Sequence, residues 1–139
     1  MWLSSLKSLV DSTLFRLILQ QGFALFAGFR CYIERYEEEI LVSNRANMWI
    51  RIRFLNGYLL ELNEAIVVEA GCIRRLGYRY HFQDKQNNLI FRYDNTPHFP
   101  ALNNFPHHKH LPDEIVAIEE PSLLKIIDEA KLLAQQAMH

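Results

Sequence analysis

The 139-residue chain predicts an α+β fold: an N-terminal helix, a curved antiparallel sheet of about five strands, and a C-terminal helix packed on one sheet face. Three observations carry that prediction. Apolar residues recur at three- and four-residue spacing near both ends, they alternate with polar residues through the middle, and turn-forming residues separate the alternating runs. One face of such a sheet is apolar and must be covered, and the terminal helices are the available cover. At this length the whole of 1–139 is expected to form a single domain with one core.

The elements follow in order. Leu3, Leu6, Val10, Leu14, Leu17 and Ile18 lie on one stripe, a helix from Leu3 to about Gln20 that Gly22 terminates. Phe29 to Glu38 mixes aromatic and β-branched residues and reads as the first strand. Met48, Ile50, Ile52 and Phe54 then alternate with Trp49, Arg51 and Arg53, and Asn56-Gly57 is the favoured pair for a type I′ hairpin turn. The return strand from Tyr58 sets Leu60 and Leu62 against Glu61 and Asn63. A strand from Cys72 to Gln83 places Leu76, Tyr78, Tyr80 and Phe82 on one face, and Arg75, Arg79, His81 and Gln83 on the other. After an Asp84–Asn88 turn, Leu89 to Asp94 pairs back. Glu114 to Ile118 is a further short strand, and Pro121 opens the last helix, with Leu123, Ile127, Ala130, Leu133 and Ala137 inward.

Net charge is −1, which argues against a nonspecific nucleic-acid binder. Its distribution points the other way: Arg45 to His110 holds nine basic against five acidic residues, a local +4. Cys31 and Cys72 make neither a disulfide framework nor a metal pair. The apolar run from Leu14 to Phe29 is broken by Arg16, Gln20, Gln21 and two glycines and is too short to span a bilayer. With no cleavable signal, the expected location is cytoplasmic, with no membrane partner.

Four of the six histidines fall between His98 and His110, in a stretch broken by prolines and bounded by Arg92, Asp94 and Lys109. Such a stretch reads as a loop, where binding and catalytic groups concentrate. By strand alternation Arg51, Arg53, Arg79, His81, Arg92 and Asp94 share the face that the helices leave open. Arginine forks bind phosphate and imidazoles exchange protons near neutrality. These are the components of RNA cleavage without a metal, although an arginine-rich strand face is also a common form of solvated surface. A metal is the competing reading, with His107, His108 and His110 as ligands and His98 or Asp94 completing the set. Adjacent histidines on an extended segment diverge, so no more than two of the three can readily share an ion. No metal and no cofactor are therefore expected.

Phe91-Arg92-Tyr93-Asp94-Asn95-Thr96-Pro97-His98 and Phe105-Pro106-His107-His108-Lys109-His110 resemble the TumE-like toxin family, the toxin component of a bacterial toxin–antitoxin system. Tyr78-Arg79-Tyr80-His81 and the hairpin Phe54-Leu55-Asn56-Gly57 with Glu64 fit the same pattern, over roughly Trp49 to Leu124. Family members often have a second histidine where this chain has Phe99. The resemblance implies a metal-independent endoribonuclease with an RNA substrate, neutralised by a cognate antitoxin protein that carries a winged-helix DNA-binding domain. His107, His108, His110 and His98 are then the expected proton carriers, with Asp94 orienting one of them. Arg79, His81, Arg92, Lys109, Arg51 and Arg53 are the expected substrate contacts. A non-catalytic domain that binds RNA or a partner protein is the alternative. Oligomeric state is not legible in these residues.

Overall fold

The structure, a computed structural model, describes residues 30–41 and 44–137. Seven strands form one antiparallel sheet in sequential order. They are β1 (Cys31–Ile40), β2 (Arg45–Phe54), β3 (Leu59–Glu69), β4 (Cys72–Gln83), β5 (Leu89–Asp94), β6 (His108–His110) and β7 (Ile115–Ala117). A single helix among the described residues, α1 (Leu123–Ala137), follows.

The expected sheet of about five strands is therefore corrected to one of seven, and the described residues hold one helix, at the C-terminal end where it is expected. The expected helix over Leu3–Gln20 lies outside the described residues. β7 falls within the short strand expected over Glu114–Ile118, and the unexpected strand, β6, comes from the end of the proline-rich stretch. Pro97, Pro100 and Pro106 all precede His107, so residues 107–111 keep their backbone N–H groups. Three of them extend the β5 edge, with Arg92 opposite His110, Tyr93 opposite Lys109 and Asp94 opposite His108. Leu111 N–H donates to the Glu114 carbonyl at 2.8 Å and turns the chain into β7.

The core lies between the sheet and α1. Ile50, Ile52, Leu60, Leu62, Tyr80, Phe82 and Phe91 from the sheet meet Leu123, Ile126, Ile127, Ala130 and Ala134 from the helix. Burying each large apolar side chain stabilises the fold by roughly 1.5–3 kcal/mol. Ser122 caps the helix, its hydroxyl accepting the Lys125 N–H at 3.3 Å. The Tyr93 hydroxyl donates to Glu129 at 2.6 Å, and Asn56 Nδ2 donates to the Ala134 carbonyl at 3.4 Å, fixing the helix across the sheet.

Two features escape simple alternation. In β4, Ala65 faces Gly77 but Ile66 faces Arg75, so Leu76 is an extra, bulged residue. That one-residue shift turns Arg75 from the expected open face to the helix side. In β1, Ile33 faces Ile52 and Arg35 faces Arg51, which leaves Glu34 unpaired in the ladder. Its carboxylate reaches Arg51 at 3.4 Å and Arg53 at 3.2 Å.

The turn chemistry also differs from expectation. At the β2–β3 connection Gly57 N–H donates to Phe54 O, and Phe54 N–H to Tyr58 O. Gly57 alone has positive φ, at 95°. That is a type I turn followed by a left-handed residue, not the expected type I′ turn. The β4–β5 turn repeats the arrangement with Asn87 at φ 67°. The hairpin with two positive-φ residues is β3–β4, through Ala70 and Gly71. A Cβ on Gly57 would lie 2.7 Å from Lys85 Cβ in the neighbouring turn. Gly57→Ala combines that overlap with an unfavourable φ and is expected to cost about 1–3 kcal/mol, read as a lower urea midpoint at unchanged m-value.

Candidate functional site

The face opposite α1 carries the polar groups. β3 and β4 pair in register with Asn63 opposite Arg79 and Glu61 opposite His81, and β4 and β5 with His81 opposite Arg92 and Arg79 opposite Asp94. Asp94 then pairs with His108 and Arg92 with His110. Period-two alternation sends all of these side chains to one side, where a strand spacing of about 5 Å makes them neighbours.

Asp94, His108 and His110 form the centre of the cluster. His108 Nε2 lies 3.0 Å from Asp94 Oδ1, His110 Nε2 lies 3.5 Å from Asp94 Oδ2, and the two Nε2 atoms are 3.1 Å apart. Asp94 and His108 are 5% and 1% exposed, so the pair is screened from water. His108 Nδ1 donates to the Pro106 carbonyl at 2.8 Å. Thr96 N–H donates to Asp94 Oδ1 at 2.9 Å, the Asx-type turn that lets the chain leave β5. Phe99 sets its ring edge-on to both imidazoles, with centroids 5.1 Å from His108 and 6.0 Å from His110. Burial pushes the His110 imidazole below its ordinary value; Asp94 opposes that shift, and His108, Arg92 and His98 add to it. His98 is exposed and packs edge-on against Phe99 at 6.2 Å.

Beside this cluster stand the arginines. Arg51 and Arg53 are both paired, Arg51 with Glu34 and Glu61 and Arg53 with Glu34. Arg53 also donates to the Gly57 carbonyl at 3.1 Å. Arg79 is exposed and has no ion pair among the described residues. Arg92 donates through Nε to His81 Nδ1 at 3.3 Å and has no carboxylate within ion-pair distance among the described residues. Burial lowers the pKa of Arg92 and the nearby charge of Arg79 adds to the effect, while Asp94 and Glu61 oppose it. His81 accepts from Arg92 and donates through Nε2 to Gln83 Oε1 at 2.8 Å, so both its nitrogens are engaged. Burial pushes its imidazole below the usual value, partly opposed by Gln83. Trp49, Glu61, Asn63, Arg79 and His81 line a shallow depression of about 260 Å³ next to the cluster.

The remaining expected site residues lie elsewhere. His107 faces the helix side, with Nδ1 2.9 Å from the Tyr78 hydroxyl and its ring stacked on Tyr78. Lys109 also faces α1, donating to Glu129 at 2.7 Å with its ammonium 4.8 Å from the Tyr93 ring centroid. Of the six expected substrate contacts, Arg79 and Arg92 are the ones with charge left for an anion.

Sequence reasoning missed three participants. The Pro106 carbonyl fixes His108, Phe99 packs the imidazole pair, and Glu61 neutralises Arg51. The last was within reach, because the register of the β2–β3 hairpin sets Arg51 directly opposite Glu61. The described residues hold one set of side chains with metal-ligand spacing, Asp94, His108 and His110, whose ligand atoms lie within 4.8 Å of one another.

A family model described as Toxin TumE matches residues 29–134. That span includes the whole described sheet and most of α1. No curated protein and no solved structure matches the chain. Among the described residues, no helix is long and apolar enough to cross a membrane.

Proposed function

Because the chain belongs to the TumE toxin family, we propose that it is the toxin of a toxin–antitoxin pair and acts as a metal-independent endoribonuclease on the face opposite α1. The observation that carries the reading is the juxtaposition of a carboxylate-bound histidine pair with two arginines that lack a carboxylate partner. An RNA phosphodiester supplies what both lack: an anion for Arg79 and Arg92, and a ribose 2′-hydroxyl for an imidazole.

The side chain of His110 is 23% exposed against 2% for His108, so His110 is the member that reaches substrate. Its Nε2 accepts the 2′-hydroxyl proton as the 2′-oxygen attacks phosphorus. The bond to the 5′-oxygen breaks, and that oxygen takes a proton from a second group, for which exposed His98 is placed beside Phe99. The products are a 2′,3′-cyclic phosphate and a 5′-hydroxyl. Arg79 and Arg92 hold the non-bridging oxygens as charge builds on the phosphorane. His108 and Asp94 position His110.

Expression of the intact chain without its antitoxin is expected to arrest growth and fragment cellular RNA. Intact RNA in arrested cells would contradict the reading, and retarded but uncut RNA with the purified protein would favour the non-catalytic binding module. Arg79→Ala and Arg92→Ala are each expected to lower the cleavage rate by roughly 10- to 100-fold, the worth of one charge-assisted hydrogen bond to phosphate. Arg79→Ala should leave thermal stability unchanged, since that side chain is exposed and completes no ion pair among the described residues, whereas Arg92→Ala also removes the hydrogen bond to His81 Nδ1. Arg51→Ala, whose charge already belongs to Glu34 and Glu61, should have a smaller effect on rate.

A further inference from the structure

The three central atoms of the cluster are spaced for a metal ion. Zinc binds imidazole nitrogen and carboxylate oxygen at about 2.0–2.2 Å, which puts neighbouring ligand atoms about 3.3–3.5 Å apart in a tetrahedral shell. His108 Nε2 lies 3.0 Å from Asp94 Oδ1, His110 Nε2 lies 3.5 Å from Asp94 Oδ2, the two nitrogens are 3.1 Å apart, and one ligand atom from each residue lies within 4.8 Å of the other two. Two imidazole nitrogens and a carboxylate gathered this closely can share one ion.

The tautomer of His108 makes the same point independently. Its Nδ1 already donates to the Pro106 carbonyl at 2.8 Å. In a neutral imidazole Nε2 is then a lone pair, and it faces a carboxylate oxygen at 3.0 Å and a second imidazole nitrogen at 3.1 Å. A lone pair on His108 Nε2 and a carboxylate oxygen cannot face each other at 3.0 Å without positive charge beside them. At 1% exposure for His108, bulk water does not screen that repulsion. Either a proton or a metal cation must lie among the three. An imidazole whose far nitrogen donates to a backbone carbonyl is the usual arrangement of a metal-bound histidine. Phe99 fixes both ring planes from one side. Two imidazoles with one carboxylate favour zinc-class ions over magnesium or calcium, which take oxygen ligands.

We propose that Asp94, His108 and His110 form a zinc site, and that the zinc-bound protein is the silenced form of the toxin. Zinc takes the Nε2 lone pairs of both histidines, and His110 then has none with which to accept the 2′-hydroxyl proton. The binding half stands on the geometry alone; the silencing half rests on the ribonuclease reading.

The test starts from full-length protein stripped with EDTA and dialysed, titrated with Co²⁺ as a coloured stand-in and then with Zn²⁺, without RNA. One Co²⁺ per chain is expected, with visible absorption bands that an equivalent of Zn²⁺ abolishes. His110→Ala and Asp94→Asn are expected to lower the affinity by more than about 100-fold, beyond the loss of an outer-shell contact. His107→Ala, on the other side of the sheet, should leave it unchanged. No saturable binding at one ion per chain, or binding indifferent to His110→Ala and Asp94→Asn, would overturn the site. Because His110 is partly exposed, this variant is expected to fold even where the buried His108→Ala does not. RNA cleavage is then followed with EDTA and with one equivalent of Zn²⁺. Loss of cleavage in zinc that EDTA restores supports silencing, whereas faster cleavage in zinc overturns it. Metal binding without cleavage under any condition would contradict the ribonuclease reading and leave the site standing.

Discussion

His110→Ala is expected to lower the rate of RNA cleavage by roughly 10²- to 10⁴-fold, the usual contribution of a positioned acid or base. The fold should survive, because the His110 side chain is partly exposed and its backbone pairing with Arg92 in β5 is retained. The circular dichroism spectrum and melting temperature should therefore match those of the parent. His107→Ala is the informative companion. That imidazole is stacked on Tyr78 on the helix side, so its removal should cost stability and leave the cleavage rate within a few-fold. Equal loss of cleavage in the two variants would contradict the assignment of the site to the face opposite α1. An unchanged rate in His110→Ala would remove that residue from the chemistry.

Arg75→Ala should be the most destabilising substitution of a charged residue, at about 3 kcal/mol, the lower end of the range for breaking a buried pair. The bulge at Leu76 puts Arg75 on the helix side, where it donates to the Tyr80 hydroxyl, to Glu120 at 2.9 Å and to the Pro121 carbonyl at 2.8 Å. Its guanidinium lies 3.7 Å from Glu64, whose side chain is 12% exposed and accepts from the Tyr80 hydroxyl. Burial raises the Glu64 carboxyl above its usual range, while Tyr80 and Arg75 pull it down. A raised folded-state value means that the contribution of Glu64 to stability is fully present below its unfolded value. It is lost as pH rises through the folded one. Removing Arg75 takes away part of the downward pull, so the deficit of the variant should grow from acid toward neutral pH. Urea unfolding of parent and variant across that range reads it directly. Arg75→Ala combined with Glu64→Gln should recover much of the loss at neutral pH, since no carboxylate is then left buried. A double variant no more stable than Arg75→Ala would show that packing, not charge, sets the cost.

What could be read from the sequence depended on how local each feature is. The strands Cys72–Gln83 and Leu89–Asp94 are where the alternation puts them, because period two is written into every residue. The same rule separates His108 and His110 from His107 and Lys109, and it brings Asp94 to the side of the first pair. The bulges at Glu34 and Leu76 were not legible, since a single extra residue leaves no composition signal yet turns Arg75 to the other face. β6 was missed for a related reason. Three residues after a proline-rich run carry too little periodicity to declare a strand, and it is the free edge of β5 that orders them. The charge state of the arginines was equally hidden. Which of Arg51, Arg53, Arg79 and Arg92 is already neutralised depends on cross-strand partners, and only the register supplies those.

The most direct measurement is the product of a short RNA incubated with the purified protein in EDTA, beside DNA of the same sequence. Cleavage of the RNA alone, leaving 2′,3′-cyclic phosphate and 5′-hydroxyl ends, is the predicted result, because the attacking group is the ribose 2′-hydroxyl. Intact RNA at protein excess, or equal cutting of the DNA, would contradict it.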